Sequence, residues 1–427
     1  MTRMTRLASA AALAGLLAVS GCSSSHDSTP AAQSSTSTAS CRTLAQNSAW
    51  YGENRDRIDA MLNKLGTCGA PGSVTAGAPL ALFDWDNTIV KNDIGDATFF
   101  WMVRNGKLRA PAAGPAGNWA STSPYLTPQA VAALSHACAA AKPGQPMPTD
   151  TDTACADELV SVYTDAKTKA GEPAFAGFNA RRMEPAYAWA AQMQAGWRES
   201  DVVGFAQAAR KENLDAAEGT EQKVGSGMQT GWVRYYPQMR DLVETLHANG
   251  FDVRIISASA EPVARVWAEE LGIPADHVMG VRTERDGDVL TSRLVPCGGE
   301  AAITYIEGKR CRVNEEVFGV SGPAAFDQQP EPKRAAFAAG DSDTDVTFLT
   351  DATALRLVLN RSKTELMCTA YDNAGGNWLV NPMFIDPKKQ GGPYACATKG
   401  YIEPSGTKGP LHRPDGSVVP DQPDRVY

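Results

Sequence analysis

The sequence is poor in histidine, with five in 427 residues, and none of its nine cysteines stands in a CxxC pair. That scarcity argues against the common zinc sites, which gather cysteine and histidine at short spacings. Positive charge is also short: 40 Lys and Arg against 48 Asp and Glu leave a formal charge of −8. Such a chain lacks the basic footprint of nucleic-acid binding, so no nucleic acid is expected as a partner. The apolar stretch Leu7 to Val19 falls short of the ~20 residues that favour a membrane-spanning helix. No internal repeat is evident, which removes the solenoids and propellers.

What is present begins with a leader. Residues 1–21 have a basic start, an apolar centre and a small-residue end, the layout of a secretory signal peptide. Removing Arg3 and Arg6 with it takes the charge from −8 to −10. Val19-Ser20-Gly21-Cys22 resembles a bacterial lipoprotein cleavage site, with Cys22 as the lipidated first residue and residues 22–40 as a Ser/Thr-rich tether. An exported lipoprotein, held to the membrane on its extracytoplasmic side by a lipid anchor at Cys22, is therefore expected. An ordinary cleaved signal and a secreted soluble protein is the alternative. Eight cysteines remain, and an even number in an exported chain implies disulfides. Spacing favours the local pairs Cys41–Cys68, Cys138–Cys155, Cys297–Cys311 and Cys368–Cys396, among about 105 possible pairings.

Residues 41–78 read as an N-terminal helical extension, with a helix over Arg42 to Leu65 and a Gly/Pro/Ala-rich link after it. Helical patterns recur at Thr127–Ala141, Ala156–Ala170, Arg181–Trp197 and Asp201–Gln222, broken by the Pro/Gly stretches Pro111–Pro124 and Lys142–Thr151. Further on, Pro237–Asn249 and Glu261–Leu271 read as helices, Val278–Leu294 as a hairpin about Asp286-Gly287-Asp288, and Ala354–Leu359 as a strand. From Tyr371 onward Gly, Pro and Asn predict a loop-rich extension, 371–427.

The chemical signals stand at strand ends. The apolar run Pro79 to Phe83 leads into Asp84-Trp85-Asp86-Asn87-Thr88. Side chains alternate along a strand, so two carboxylates two residues apart emerge on one face, at the sheet edge where open α/β folds bind ligands. Such a pair suits a divalent cation, or a nucleophile with an acid–base partner; the bland alternative is a strand running into an Asp/Asn turn. Three segments follow in order: Phe251 to Ser257 (FDVRIIS), Tyr305-Ile306-Glu307-Gly308-Lys309, and Ala335 to Ala339 leading into Gly340-Asp341-Ser342-Asp343-Thr344-Asp345.

These four segments, in this order, resemble the four motifs of the haloacid dehalogenase (HAD) superfamily phosphatases, above all the phosphoserine and phosphorylcholine phosphatase branch. The resemblance spans roughly residues 79–98 and 233–370. It implies an α/β fold, with a Rossmann-like three-layer parallel-sheet core at 79–96 and 233–370. A large, mainly helical cap, 97–232, would be inserted after the first motif. It implies Mg2+-dependent hydrolysis of a small phosphorylated substrate. Asp84 would be the nucleophile that forms an aspartyl-phosphate, and Asp86 the acid and then the base. The metal ligands would be the Asp84 and Asp341 carboxylates and the Asp86 main-chain carbonyl, with Asp345 orienting a metal-bound water or Lys309. Ser257 would contact the phosphoryl group, leaving Ser259 to cap the next helix, and Lys309, rather than Lys333, would oppose the charge of Asp84 and phosphate. Thr88 is a substrate-binding candidate within the first motif. In the phosphoserine phosphatases an acid nine residues past the nucleophile meets the substrate amine, and here that is Asp93. An acid beside a phosphate site favours a zwitterionic ester, phosphocholine or phosphoserine. Of the aromatic residues in and near the cap, Phe99, Phe100, Trp101, Trp119, Trp189, Trp197, Trp232, Tyr235 and Tyr236, two or three are expected at a cationic headgroup. A phosphotransferase or mutase of the same superfamily, or a lipoprotein that only captures phosphate esters, would share this fold.

Overall fold

The computed structural model describes residues 41–46, 49–68, 77–112 and 118–427. The expected leader, tether and Cys22 lie outside the described residues. In the described part, helix α1 (Asn54–Leu65) precedes strand β1 (Leu80–Phe83), and the chain then crosses a short strand β2 (Val90–Lys91) into a helical insertion. The insertion contains α2 (Ile94–Arg104), α3 (Pro128–Ala137), α4 (Thr153–Asp165), α5 (Pro185–Gln192) and α6 (Glu199–Asp215), then a hairpin of β3 (Glu221–Val224) and β4 (Gly227–Thr230). It returns through β5 (Arg234–Tyr235), which pairs antiparallel with β2, so exit and re-entry form one two-stranded stalk. The rest runs α7 (Pro237–Ala248), β6 (Asp252–Ala260), α8 (Glu261–Ala268), β7 (Val278–Val281), β8 (Thr283–Asp286), β9 (Val289–Leu294), α9 (Glu307–Glu316), β10 (Phe337–Gly340), α10 (Val346–Asp351), β11 (Leu355–Asn360), α11 (Thr364–Asp372) and β12 (Trp378–Pro382).

Six strands form one sheet in the order β12-β11-β10-β1-β6-β7, every neighbouring pair parallel. Strands covered on both faces read as unbroken apolar runs, and β1 and β10 are buried at every residue. From β1 the chain moves outward to β6 and β7 and then returns to β10 on the other side of β1. The order reverses between β1 and β10, which is where an open α/β sheet leaves a crevice at its carboxyl edge. Apolar clusters cover both faces of the sheet, and the insertion has its own, built on Phe99, Phe100, Val103, Leu134, Leu159 and Trp189. The four local disulfides expected from spacing join their partners. Among the described residues no helix is long and apolar enough to cross a membrane.

Several expected boundaries move. The first helix begins at Asn54, not Arg42, because side chains elsewhere take the backbone donors before it: Arg42 N donates to Asn249 Oδ1, Leu44 N to Asp59 Oδ1 and Ala45 N to Asp241 Oδ2. The insertion helices are shorter than their patterns; α5 waits for Pro185 at its first turn, and α4 stops at Ala166, which has φ +51°. The tail of the pattern Asp201–Gln222 is instead the start of the β3–β4 hairpin, which turns at Gly225. Val278–Leu294 is not one hairpin: β7 joins the main sheet and only β8 and β9 pair about Gly287. Beyond Tyr371 the chain supplies a sixth sheet strand, β12, as an edge strand ending at Pro382, a position an edge tolerates.

Candidate active site

Register puts the chemistry in one place. Phe83 of β1 pairs with Ala339 of β10 and Ile255 of β6, so the residues after these strands leave the sheet side by side. Asp84 N still donates to Ala339 O, at 3.0 Å, which fixes the first carboxylate relative to the Asp341 loop. Gly340 has to be glycine for that loop to close, since a Cβ there would lie 2.7 Å from Asp345 Cβ.

Asp84 is buried, and Lys309, with no exposed surface, donates to its Oδ1 at 2.6 Å and to Asp345 Oδ1 at 2.6 Å. Lys309 rides on the first turn of α9, behind Ile306, a β-branched residue held at φ +44°. That strained position persists because Thr347 Oγ1 donates to Ile306 O and Ile306 N to Thr344 O. Gly308 allows the close approach, as a Cβ there would run into the Ile303 carbonyl. Asp345 accepts on its other oxygen from Asp341 N and Ser342 N, each at 3.0 Å. Of the two roles the resemblance offered for Asp345, the geometry shows the hold on Lys309.

Asp341 Oδ1 and Asp84 Oδ2 share one hydroxyl: Thr88 Oγ1 lies 3.3 Å from the former and 3.1 Å from the latter. Thr88, expected at the substrate, is wholly buried, and its hydroxyl lies between the two carboxylates and off the cleft wall. Asp86 accepts from Ile94 N at 2.8 Å on Oδ1 and from Ser259 Oγ at 2.8 Å on Oδ2. The two serines differ from expectation. Ser257 is wholly buried, accepts from Ser259 N and lies off the cleft wall, whereas Ser259 lines the cleft and makes no helix-capping bond. The β6–β7 register shifts between Ile256 and Ala260, and that irregularity breaks the alternation that would have put both serines on one face.

The cleft continues from these acids into the insertion, lined by Asp93, Phe99, Tyr163 and Tyr187 and, from the sheet edge, Arg361. Asp93 caps α2 by accepting from Asp96 N at 2.9 Å, and Tyr163 donates to Asp96 Oδ1 at 2.7 Å. Tyr187 keeps 39% of its surface exposed although it stands in the cleft wall. Of the nine aromatic residues singled out in the sequence, only Phe99 lines the cleft; Tyr163, Tyr187 and Arg361 were not singled out, because nothing in their local pattern sets them apart from core or surface residues.

Electrostatics follow from burial. Desolvation, with the charge of Asp345 next, pushes the Asp84 carboxyl well above the usual range, and desolvation followed by Asp93 does the same to Asp86. Burial alone would lower the Lys309 ammonium; the Asp345 and Asp84 carboxylates outweigh it and hold the group above the ordinary lysine value. Carboxylate oxygens of Asp84, Asp341 and Asp345 lie within 4.8 Å of one another. An all-oxygen, acid-rich set of this kind fits a hard divalent cation such as Mg2+, and Asp84 and Asp341 are its members not fully committed to Lys309.

Two comparisons with known proteins bear on this arrangement. The model of the haloacid dehalogenase-like hydrolases matches residues 81–350, from β1 to α10. Among solved structures, a conserved, functionally unknown protein from Anaerococcus prevotii DSM 20548 is 19% identical, covers 80% of this chain and 94% of its own, and superposes with a TM-score of 0.54. A protein of unknown function from Bordetella pertussis Tohama I (16% identical; 71% and 98% covered; TM-score 0.41) and a probable phosphoserine phosphatase from Vibrio cholerae (14%; 68% and 60%; 0.34) are more distant. No curated protein matches the sequence. With more than half of its length matched by the family model, the chain belongs to the haloacid dehalogenase-like hydrolases.

Proposed function

We propose that this hydrolase is a Mg2+-dependent phosphomonoesterase, acting outside the cytoplasm on small zwitterionic phosphate esters through an aspartyl-phosphate. The observation that carries this reading is the pairing of two differently held carboxylates on one cleft. Asp84 is braced by a buried lysine, and Asp86 has no ion-pair partner among the described residues and is hydrogen-bonded to Ser259. The Asp84 carboxylate attacks phosphorus and the ester P–O bond breaks. Asp86, whose burial favours its protonated form, gives its proton to the departing alkoxide. It then takes a proton from a water that attacks the phosphoryl group, which releases inorganic phosphate and restores Asp84. Asp84, Asp341 and the Asp86 carbonyl would hold the metal, which when bound screens the phosphoryl oxygens against the carboxylates. Lys309, fixed by Asp345, favours the ionised form of Asp84 against its burial, Thr88 spaces Asp84 from Asp341, and Ser259, whose N–H is held by Ser257, sets the Asp86 side of the cleft.

The helical insertion acts as the cap over this site. Asp93 faces the cleft with no ion-pair partner among the described residues, beside Phe99 and Tyr187, so a cationic headgroup meets both a carboxylate and aromatic faces. That favours phosphocholine, then phosphoserine, over an uncharged ester. Four disulfides and the lipoprotein-like leader ending at Cys22 support an exported, membrane-anchored protein. The test compares hydrolysis of phosphocholine, phosphoserine and glycerol phosphate by wild type, Asp84→Asn and Asp93→Asn. Asp84→Asn loses turnover and stays folded, and Asp93→Asn loses the preference for the charged headgroups. Normal hydrolysis by Asp84→Asn sinks the mechanism; an unchanged ranking in Asp93→Asn sinks the substrate class.

A further inference from the structure

The cleft wall contains many acids and, among the described residues, a single lysine or arginine: Arg361. Lys309 does not face the cleft, since it is wholly buried behind Asp84 with its ammonium spent on two carboxylates. Arg361 is the first residue past β11, the neighbour of β10, and so stands at the same carboxyl edge as Asp341. Nη1 donates to Asp341 Oδ2 at 3.0 Å, its only side-chain hydrogen bond among the described residues. A guanidinium has five N–H donors, and the side chain keeps 40% of its surface exposed. Asp341 in turn shares Thr88 with Asp84, which ties this cation to the nucleophile through two intervening residues.

The turn that carries Arg361 is held on both sides. Ser362 sits at φ +59°, a costly position for a residue with a Cβ, and its N–H donates to Asn360 Oδ1 at 2.9 Å. Asn360, buried, also accepts from the Tyr394 hydroxyl at 3.1 Å and donates to Asp424 Oδ1 at 2.9 Å. The carboxy-terminal segment thus braces the residue next to Arg361. A purely structural ion pair would account for the contact with Asp341, but not for the open face that the guanidinium turns to the cleft.

We propose that Arg361 is a phosphoryl-binding residue, donating to a non-bridging oxygen of the substrate phosphate and of the phosphate product. This rests on Asp84 being the nucleophile, because that is what places the phosphoryl group within the reach of this edge. Paired N–H groups match a phosphate edge better than a point charge does, and donors aimed at developing charge are typically worth about 10²–10³ in rate.

The experiment titrates inorganic phosphate calorimetrically into the full-length protein at saturating Mg2+, for wild type, Arg361→Lys and Arg361→Met. The kcat/KM of each is measured alongside, and thermal melts establish that each is folded. Arg361→Met should weaken phosphate binding about tenfold or more and lower kcat/KM about 10²–10³-fold, with Arg361→Lys between. Mg2+ affinity is measured separately, without phosphate. The proposal is overturned if Arg361→Met binds phosphate as wild type does, or if its whole defect lies in Mg2+ affinity and vanishes at saturating metal. Asp84→Asn serves as the control: retained turnover there would remove the reading beneath the proposal, whatever Arg361 does.

Discussion

Replacing Lys309 by methionine keeps the unbranched stem of the side chain up to the ε position and removes the ammonium, which isolates what that charge does. Lys309, Asp84 and Asp345 are all buried, with two 2.6 Å ion pairs converging on one nitrogen. Removing one partner of a buried pair costs about 3–5 kcal/mol, because the desolvated charge left behind has no compensation. Here two carboxylates are left, so the upper part of that range applies. For the unit Ala39–Tyr427, roughly 390 residues, an unfolding entropy of ~2.1 cal/mol/K per residue gives about 0.8 kcal/mol/K, so the melting midpoint should fall by about 5 °C. Hydrolysis should fall by at least about 10²–10³-fold, since Asp84, the proposed nucleophile, loses the one charge that opposes its burial. The decisive variant adds Asp345→Asn to Lys309→Met. It removes one of the stranded charges, so much of the lost stability should return while activity does not, a coupling of about 0.5–3 kcal/mol by double-mutant cycle. Thermal melts by circular dichroism and initial-rate assays read both quantities. Strictly additive melting shifts, or a Lys309→Met variant as stable as wild type, would refute the reasoning.

Burial, then the charge of Asp93, pushes Asp96 up to about 8. Between about pH 4 and 8 the folded chain therefore holds a proton there that the unfolded chain does not, so stability falls as pH rises through that window. Asp96→Asn should flatten the dependence of the melting midpoint on pH; equal slopes for the two proteins would count against it. Cys311 lies two residues beyond Lys309 on α9 and is tied to Cys297. Replacing both by serine should cost about 3 kcal/mol of stability, as expected for a loop of this size, and should lower turnover at least tenfold in protein that is still folded. A turnover loss no larger than the fraction unfolded would show that the disulfide does not position Lys309.

The sheet and the acid cluster were legible because a buried parallel strand is an unbroken apolar run and its end is where polar residues begin. Leu80–Phe83 into Asp84 and Phe337–Gly340 into Asp341 both have that form. Lys309 was legible only through its resemblance to a motif, since a lysine beside Arg310 at a helix start has no local mark of burial. The Ser257 and Ser259 roles were not legible, because alternation holds only while the register holds, and β6 shifts before Ala260. Arg361 was invisible for a related reason: Asn360-Arg361-Ser362-Lys363 reads as an ordinary polar exit from a strand. What singles it out is the register of β11 against β10 and a tail residue more than 60 positions away, Asp424, holding Asn360. The strand β12 was hidden by its surroundings, five residues of sheet among Gly, Asn and Pro.

Charge around the cleft ties these parts together. Asp84, Asp86, Asp93, Asp96, Asp341 and Asp345 face or flank it, against Lys309 and Arg361, so six carboxylates and two cations would leave four negative charges if all were ionised. Burial raises the carboxyls of Asp84, Asp86, Asp93, Asp96 and Asp341 alike, so the cleft favours taking up positive charge, as protons or as a divalent cation. On Asp86 such a proton is the one its proposed acid role requires. In the proposed reading Asp84, Asp341 and Arg361 meet the phosphoryl group at one end, while Asp93, which has no ion-pair partner among the described residues and feels Arg361 only through its charge, meets the headgroup at the other. A dianionic ester with no positive charge would satisfy the first end and leave Asp93 desolvated and unpaired. A zwitterion would satisfy both, and that difference is the physical basis on which selection by headgroup is proposed.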